Sequence, residues 1–168
     1  KSINIDYPRL VIPFFDKSGE IFAYQGRAFG KEPQKYITII LDKDCPKIFG
    51  LDRLDTSRSI HVVEGPFDSL FIENCIAVAQ SDLRVPKYKE KVVLIPDNEP
   101  RNKQVCKQIE QCIKDGYSVV LWPHSVKEKD INDMILSGYT SAEIQELIHN
   151  NTHKDLQAQT VFSSWKRI

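Results

Sequence analysis

Residues 92–114, VVLIPDNEPRNKQVCKQIEQCIK, hold the pattern that decides the fold class. An apolar run opens the stretch, a polar turn with two acids follows, and the apolar residues from Val105 to Ile113 then recur at helical spacing. The pair Asp115-Gly116 predicts the end of that helix, because glycine readily adopts the backbone conformation that closes one. A strand that leads directly into an amphipathic helix is the unit from which parallel α/β sheets are built.

The same alternation continues on both sides of this stretch. Further strands are predicted at residues 60–63, 76–79 and 117–122. Further helices are predicted at residues 67–73, 130–136 and 141–149. Pro66 suits the first position of a helix, and Ser141 suits the N-cap of the last one. Strands and helices that alternate at this spacing predict an α/β fold with a parallel sheet.

The beginning of the chain follows a different pattern. Apolar runs at residues 10–15 and 21–29 flank the polar turn Asp16–Gly19, which predicts a β-hairpin. A run rich in β-branched residues at 36–41 offers a third strand. We therefore expect a small antiparallel, β-rich subdomain ahead of the parallel sheet.

These patterns divide the chain into three parts. The expected limits are 1–57 for the amino-terminal subdomain, 58–150 for the α/β domain and 151–168 for a carboxyl-terminal tail. The tail is polar but carries Phe162 and Trp165, so it is either mobile or docks on another surface. The sequence alone leaves both options open.

The overall composition excludes some classes of protein. Hydrophobic residues make up 41% of the 168, enough for a core, and no run is long enough to cross a bilayer, so we expect no membrane partner. Basic and acidic residues number 23 each, which argues against a general polyanion-coating protein but leaves room for a local basic groove. The 4 cysteines form no C-x-x-C pair, which predicts no structural zinc and free thiols in a reducing cytosol. A cytoplasmic location follows from this cysteine usage.

Acidic residues follow three of the predicted strands. Glu64 comes directly after the strand at 60–63, Asp97 and Glu99 after the quoted apolar run, and Asp130 and Asp133 beyond the strand at 117–122. Ligands of open parallel sheets bind beyond the carboxyl ends of the strands, so these acids should converge. Crowded carboxylates repel one another unless a cation is present, and Mg²⁺ prefers oxygen ligands of this kind. The pattern predicts a magnesium site for phosphoryl transfer.

Gly65 and Asp68 add to this site. Gly65 fits a tight turn that a nucleotide backbone can approach closely, and Asp68 falls in the first turn of the predicted helix. Each acid taken alone has a simpler reading, because single acids after strands usually cap helices or stabilise turns. Their shared position beyond the strand ends favours function.

The segments Glu64–Asp68, Asp97–Glu99 and Lys129–Asp133 resemble the three successive motifs of the TOPRIM domain, which primases, topoisomerases, RecR-like repair proteins and some nucleases share. This resemblance covers residues 59–136 and implies a Rossmann-like core. Two departures are visible: Glu99 stands where the family usually has Asp, and Ala79-Gln80 where a small residue or Gly is common. In the third motif, either Asn132 or Asp133 matches the second acid of some relatives.

The segments Val11–Phe14, Gly26-Arg27, Gln34–Tyr36 and Phe49–Leu51 resemble the segment that precedes TOPRIM in DnaG-type bacterial and phage primases, and Asp97–Asn102 is most similar to T4-like phages. Topoisomerases and nucleases of the superfamily lack this preceding segment. The resemblance therefore implies the RNA polymerase domain of a DNA primase, a nucleotidyltransferase that makes short RNA primers on single-stranded DNA.

The resemblance also implies roles for individual residues and partners. Asp97, Glu99 and Asp130, together with Asp133, are expected to hold Mg²⁺ or Mn²⁺, and Glu64 to bind a metal or act as general base. Expected contacts to nucleic acid or nucleotide are Arg27, Lys35, Asp68, Arg101, Lys103 and Lys129. For Arg101 and Lys103 a solvated helix start, and for Lys129 an ion pair with a nearby acid, remain equally good readings.

Expected partners are the single-stranded template, ribonucleoside triphosphates, a replicative helicase and a zinc-binding domain elsewhere in the full-length protein. A phage-encoded protein of this kind would work in the bacterial host cytoplasm. Two rival functions stay open: a TOPRIM nuclease, which would cleave DNA with Mg²⁺ alone, and a non-catalytic nucleic-acid- or helicase-binding module, which would be indifferent to metal and nucleotides.

Overall fold

The computed structural model describes residues 7–78 and 82–168. The chain divides after Arg53 into two compact units, and each contains its own sheet.

The first unit is an antiparallel sheet in the order β1-β2-β3. Its strands are β1 (Arg9–Phe15), β2 (Ile21–Ala28) and β3 (Tyr36–Ile40). In the turn between β1 and β2, the Asp16 carboxylate accepts two backbone N–H groups, at 2.8 and 2.9 Å. Phe14 is fully buried, and the rings of Phe22 and Phe49 meet it edge-on at centroid distances of 6.1 and 5.4 Å. The predicted hairpin and third strand are confirmed.

The second unit contains a sheet in the order β5-β4-β6-β7-β8. Its strands are β4 (Ile60–Val63), β5 (Cys75–Ala77), β6 (Val92–Leu94), β7 (Ser118–Val120) and β8 (Thr152–His153). Neighbouring strands run parallel, except that β8 is antiparallel to β7. Of the strand predicted at 76–79, the last residue Ala79 lies outside the described residues, as does Gln80.

The helices of this unit are α1 (Lys103–Lys114), α2 (Ile131–Leu136), α3 (Ser141–Asn150) and α4 (Asp155–Trp165). α1 has the predicted limits. The Asn102 side chain accepts the N–H groups of Gln104 and Val105 at its start, and Gly116 ends it with a φ of 77°.

The prediction of a helix at 67–73 is wrong, because the structure has a single 3-10 turn there, Asp68–Leu70. The buried Ser69 hydroxyl donates to the carbonyl oxygen of Pro66 at 2.7 Å and so competes with α-helical hydrogen bonds. Asn74 then takes a left-handed φ of 46° directly before β5. Local side-chain bonding therefore tightens the connection into turns.

The N-cap predicted at Ser141 is wrong by one position. Thr140 caps α3: its hydroxyl accepts the N–H of Glu143 at 3.2 Å, and the Glu143 carboxylate accepts the N–H of Thr140 at 2.8 Å. This reciprocal capping box satisfies two donors that the helix itself leaves unpaired.

The last segment of the chain forms β8 and α4, and α4 packs against α1 and β7. Ala158, Phe162 and Trp165 are the buried residues of α4, and the two aromatic rings stack at 6.1 Å. Residues 151–168 are thus folded onto the second unit. The expected domain limits after 57 and 150 remain predictions.

Two further observations concern the whole described chain. Cys45 is half-buried and Cys75, Cys106 and Cys112 are buried, all as free thiols. Over residues 7–78 and 82–168, no helix combines the length and the apolar character that a bilayer crossing requires.

Candidate active site

Acidic side chains from three separate parts of the chain meet at one edge of the parallel sheet. Glu64 directly follows β4, Asp97 follows β6, and Asp130 lies beyond β7 at the start of α2. Since β4, β6 and β7 are parallel neighbours, the residues beyond their carboxyl ends share one edge. The charges of Asp97, Glu99 and Asp68 all act on Glu64, so the predicted convergence of these acids is present.

Glu64 has an unusual environment for a carboxyl group. Its burial, together with the nearby charge of Asp97, raises its pKa from 4.5 to about 7, although Lys129 acts in the opposite direction. A carboxyl group with this pKa exchanges its proton close to neutral pH, as a general base must. The Glu64 carboxylate can therefore accept a proton or help to bind a cation.

Asp68 connects the first acidic segment to the third. Its Oδ1 accepts the backbone N–H of Asn132 at 2.9 Å, at the start of α2. Burial raises the pKa of Asp68 to about 6, and the charges of Asp130 and Asp97 add to this, while the hydrogen bond from Asn132 opposes it. A Cβ atom on Gly65 would lie 2.8 Å from Oδ2 of Asp68, so a larger residue at position 65 would displace this carboxylate.

Lys129 lies between two of the acids. Its Nζ is 3.4 Å from Oδ2 of Asp97 and 3.6 Å from Oε2 of Glu99. Burial raises the pKa of Asp97 despite the lysine, and the two acids raise the pKa of Lys129 although its partial burial opposes this. Lys129 is therefore ion-paired with both acids, as one of its two predicted roles requires.

Asn98 fixes this arrangement, a role that the sequence did not reveal. Its backbone N–H donates to the carbonyl of Lys129 at 2.6 Å, and its side-chain amide donates to the carbonyls of Val126 and Glu128 at 3.2 and 3.1 Å. An amide between two acids was the available signal, because asparagine commonly bonds backbone groups of adjacent loops.

The third acidic segment serves first as a helix start. Oδ1 of Asp130 accepts the N–H of Asp133 at 2.8 Å and caps α2, while the charge of Asp130 acts on Asp68 and Asp97. Among the described residues, Asp133 is not one of the main charges that act on Glu64, Asp68 and Asp97. Asp130 therefore belongs with Glu64, Asp68, Asp97 and Glu99 more closely than Asp133 does, and we call these five residues the acidic cluster.

Among the described residues, no group of three or more His, Cys, Asp or Glu side chains is arranged to coordinate a metal ion. The cation between Asp97 and Glu99 is the Lys129 ammonium, whose side chain is 52% exposed and can turn towards solvent. The oxygen donors still fit a hard divalent cation, because burial and mutual repulsion raise the pKa values of Glu64, Asp68 and Asp97 and a cation relieves both.

The expected basic contacts fall into two groups. Arg101 and Lys103 are exposed near the start of α1, in the second unit. Arg27 and Lys35 belong to the first unit, where Arg27 donates to the Tyr36 hydroxyl at 2.9 Å and both cations lie over the Tyr36 ring, 5.5 and 5.6 Å from its centroid. The sequence missed Arg9, whose guanidinium donates to the carbonyl of Gln34 at 3.0 Å beside them.

Comparison with known proteins gives one close relative and several similar structures. No protein-family model matches the chain. The DNA primase of enterobacteria phage T4 is 41% identical over 170 residues, which cover 98% of this chain and 49% of the T4 protein. The chain thus spans about half the length of this relative.

Two solved primase structures share the fold. The zinc-binding and RNA polymerase domains of Aquifex aeolicus primase superpose with a TM-score of 0.63 at 23% identity, covering 86% of this chain and 40% of that one. A DnaG primase catalytic domain bound to single-stranded DNA superposes with a TM-score of 0.63 at 14% identity, covering 86% and 52%. These structures confirm the predicted α/β class.

Three findings indicate the same family: the fold shared with primase catalytic cores, the sequence identity to the T4 protein, and the acidic motifs. The chain therefore belongs to the DNA primase family that includes the T4 enzyme, as a homologue of about half of that protein.

Proposed function

We propose that this chain is the RNA polymerase domain of a DNA primase, which synthesises short RNA primers from ribonucleoside triphosphates on a single-stranded DNA template. The observation that carries the proposal is the convergence of Glu64, Asp68, Asp97, Glu99 and Asp130 at the carboxyl edge of a parallel sheet, in a chain with 41% identity to T4 primase. Such an edge is where open α/β sheets bind their ligands.

In this proposal Asp97, Glu99 and Asp130 hold Mg²⁺ or Mn²⁺, with Asp133 as a further candidate ligand. The bound cation supplies charge neutralisation at the triphosphate and lowers the pKa of the attacking 3′-hydroxyl. A bound cation would compete with the Lys129 ammonium for Asp97 and Glu99, and Lys129 would then be available to contact phosphate.

Glu64 accepts the proton of the 3′-hydroxyl, because its carboxylate directly follows β4 beside Asp97 and Glu99, the proposed cation ligands. Asp68 keeps the first and third acidic segments in register through its hydrogen bond to the N–H of Asn132. Apart from this proton transfer, catalysis rests on positioning and on charge neutralisation, as is usual for phosphoryl transfer.

In the first unit, we assign Arg27 and Lys35 to the template or nucleotide phosphates. Tyr36 holds the Arg27 guanidinium in place through a hydrogen bond of 2.9 Å. Arg101 and Lys103 are assigned to phosphate in the same way from the start of α1.

The relatives support two of the remaining partners, and the helicase rests on the resemblance to phage primases alone. The Aquifex aeolicus structure contains a zinc-binding domain, and the DnaG structure contains single-stranded DNA. We propose that a zinc-binding domain elsewhere in the full-length protein and a replicative helicase cooperate with this chain in the cytoplasm of a bacterial host. The proposed working parts are the subdomain 1–57, the catalytic domain 58–150 and the segment 151–168.

The test is primer synthesis on single-stranded DNA with labelled ribonucleotides and Mg²⁺, comparing the wild type with Asp97→Asn. We expect short RNA products from the wild type that disappear in the variant and on chelation of Mg²⁺. If a zinc-binding domain and a helicase are added and no product forms, the primase assignment is wrong. Degradation of the DNA by Mg²⁺ alone would instead identify a nuclease, and metal-independent DNA binding without reaction a binding module.

A further inference from the structure

A cavity of about 310 Å³ lies beside the acidic edge, at the lower end of the range for ligand pockets. Glu99 belongs both to this cavity and to the acidic cluster. Trp122 and Trp165 contribute apolar walls, and both are nearly fully buried. The cavity is therefore a defined hollow that adjoins the candidate metal ligands.

Cationic side chains line the same cavity. Arg101, Lys127 and Arg167 are exposed, and His124 lies among them; we call these four residues the basic pocket. Within residues 7–78 and 82–168, none of the arginines and lysine of the basic pocket forms an ion pair with a carboxylate. Three unneutralised positive charges around one hollow attract an anion.

Contacts to neighbouring loops hold two of these cations in place. The backbone N–H of Arg167 donates to the carbonyl of Pro100 at 2.8 Å, and the Arg167 guanidinium donates to Nδ1 of His124 at 2.7 Å. The Lys127 ammonium donates to the carbonyl oxygen of His124. Arg167 keeps further N–H groups for a ligand, so the pocket is organised before an anion arrives.

We propose that the basic pocket binds the triphosphate of the ribonucleotide substrate, which rests on the proposed function and names a subsite of it. A triphosphate concentrates several negative charges within a few ångströms, as the pocket concentrates its positive charges. A nucleic-acid strand instead spreads one charge per phosphate along its length, and needs an extended basic track. Because Glu99 borders the pocket, a triphosphate there lies next to a cation held by Asp97 and Glu99, and phosphates commonly complete the shell of such ions.

The direct test uses the whole 168-residue chain and inorganic tripolyphosphate, with EDTA present so that side chains alone bind the anion. The double variant Lys127→Gln/Arg167→Gln should weaken the affinity at least tenfold by titration calorimetry. Arg101→Gln, which disturbs no contact of the pocket, should weaken it about threefold to fivefold. The matched control is Lys166→Gln, a cation next to Arg167 that lies over the Phe162 ring and does not line the pocket, and it should stay within twofold of the wild type.

Binding of a single-stranded DNA oligonucleotide is the second arm. We expect the double variant to bind it within twofold of the wild type. Unchanged tripolyphosphate affinity in both Arg101→Gln and the double variant would overturn the proposal, as would an equal loss in Lys166→Gln, which would mean general charge attraction. Loss of DNA binding with tripolyphosphate binding retained would assign the pocket to the nucleic-acid backbone instead.

The kinetic arm separates this proposal from the proposed function. In primer synthesis the double variant should raise KM for ATP about tenfold with little change in kcat, whereas Asp97→Asn should abolish synthesis yet bind tripolyphosphate normally in EDTA. If the wild type makes no primers but its tripolyphosphate binding depends on the basic pocket, the pocket stands and the primase assignment fails.

Discussion

Val11 and Ile39 in the antiparallel sheet of the first unit are 60% and 43% exposed, whereas Ile60 and Val62 in the parallel sheet of the second unit are completely buried. An antiparallel sheet can leave one face open, while helices cover both faces of a parallel one. A sheet with covered faces can meet a ligand only at its edges, and the acids of the second unit lie at such an edge. The first unit has open sheet surface on which to place its cations.

The two units also treat charge differently. In the first, Arg9 and Arg27 bond to neutral partners on neighbouring strands and turns, the carbonyl of Gln34 and the hydroxyl of Tyr36. In the second, acids face other acids, and the pKa of Glu64 rises to about 7. Loss of one charged group should therefore have small effects in the first unit and large ones in the second.

The largest difference is expected in catalysis. Asp97→Asn keeps the shape of the side chain but removes a charge from the acidic cluster, so primer synthesis should fall at least about 100-fold. Arg27→Gln removes one of several cations and should reduce synthesis by less than about tenfold. Initial rates at saturating ribonucleotide measure both. An equal loss of primer synthesis in the two variants would contradict the expected difference between the two units.

The next largest effect concerns Gly65, which lies beside the Asp68 carboxylate. Gly65→Ala places a Cβ 2.8 Å from the Asp68 carboxylate and should break its bond to Asn132, at a cost of about 2 kcal/mol in the free energy of unfolding. The control in the first unit is Gly30→Ala, where only the mobile tip of Glu32 lies near the added atom, and its effect should stay within about 0.5 kcal/mol.

Urea unfolding measures both glycine variants, and a double-mutant cycle sharpens the result. With Asp68→Ala present, Gly65→Ala should add little further destabilisation, because the obstructing carboxylate is gone. Full additivity of the two changes would show that Asp68 is not the cause.

A smaller effect should appear in the pH dependence of stability without metal. Burial raises the pKa of Glu64 from its ordinary 4.5 to about 7, so the folded chain binds this proton more tightly than the unfolded chain. The associated stability is present below about pH 4.5 and is lost as the pH rises to about 7. After allowance for solvent screening, this loss amounts to about 1–2 kcal/mol.

Glu64→Gln should remove that part of the pH dependence, and added Mg²⁺ should reduce it in the wild type. Urea unfolding in EDTA at pH 4.5, 6 and 8 measures the difference between the two proteins. A difference that stays constant over this range would contradict the assigned environment of Glu64.

The smallest effect is expected back in the first unit. Tyr36→Phe removes the hydroxyl that accepts from Arg27 at 2.9 Å but keeps the ring below Arg27 and Lys35. The free energy of unfolding should fall by about 0.5–1 kcal/mol, because solvent can satisfy the half-buried guanidinium. A cost as large as that of Gly65→Ala would show that the first unit is as tightly coupled as the second.

The sequence predicted the elements whose pattern is local. The limits of β4 and α1 agree with it, because an apolar run between polar residues and an amphipathic repeat closed by Asp115-Gly116 can each be recognised from the local sequence. The meeting of Glu64, Asp97 and Asp130 was also predictable, because the ends of parallel strands must share an edge.

The sequence missed one local feature and two features that depend on distant contacts. The segment 67–73 has helical spacing, yet the hydroxyl of Ser69 and the left-handed Asn74 turn it into a 3-10 turn. The roles of Asn98 and Arg167 depend on the loop that follows β7. This loop packs beside the segment 97–99 only in the folded chain. No pattern within either segment encodes that neighbour.

The link from Asp68 to Asn132 bears on how this site can change during evolution. A larger residue at position 65 would displace the Asp68 carboxylate, so we expect positions 65 and 68 to covary among relatives. Position 132 contributes only its backbone N–H to this bond, so asparagine and aspartate can replace each other there without breaking it. Proline has no backbone N–H and would abolish the bond.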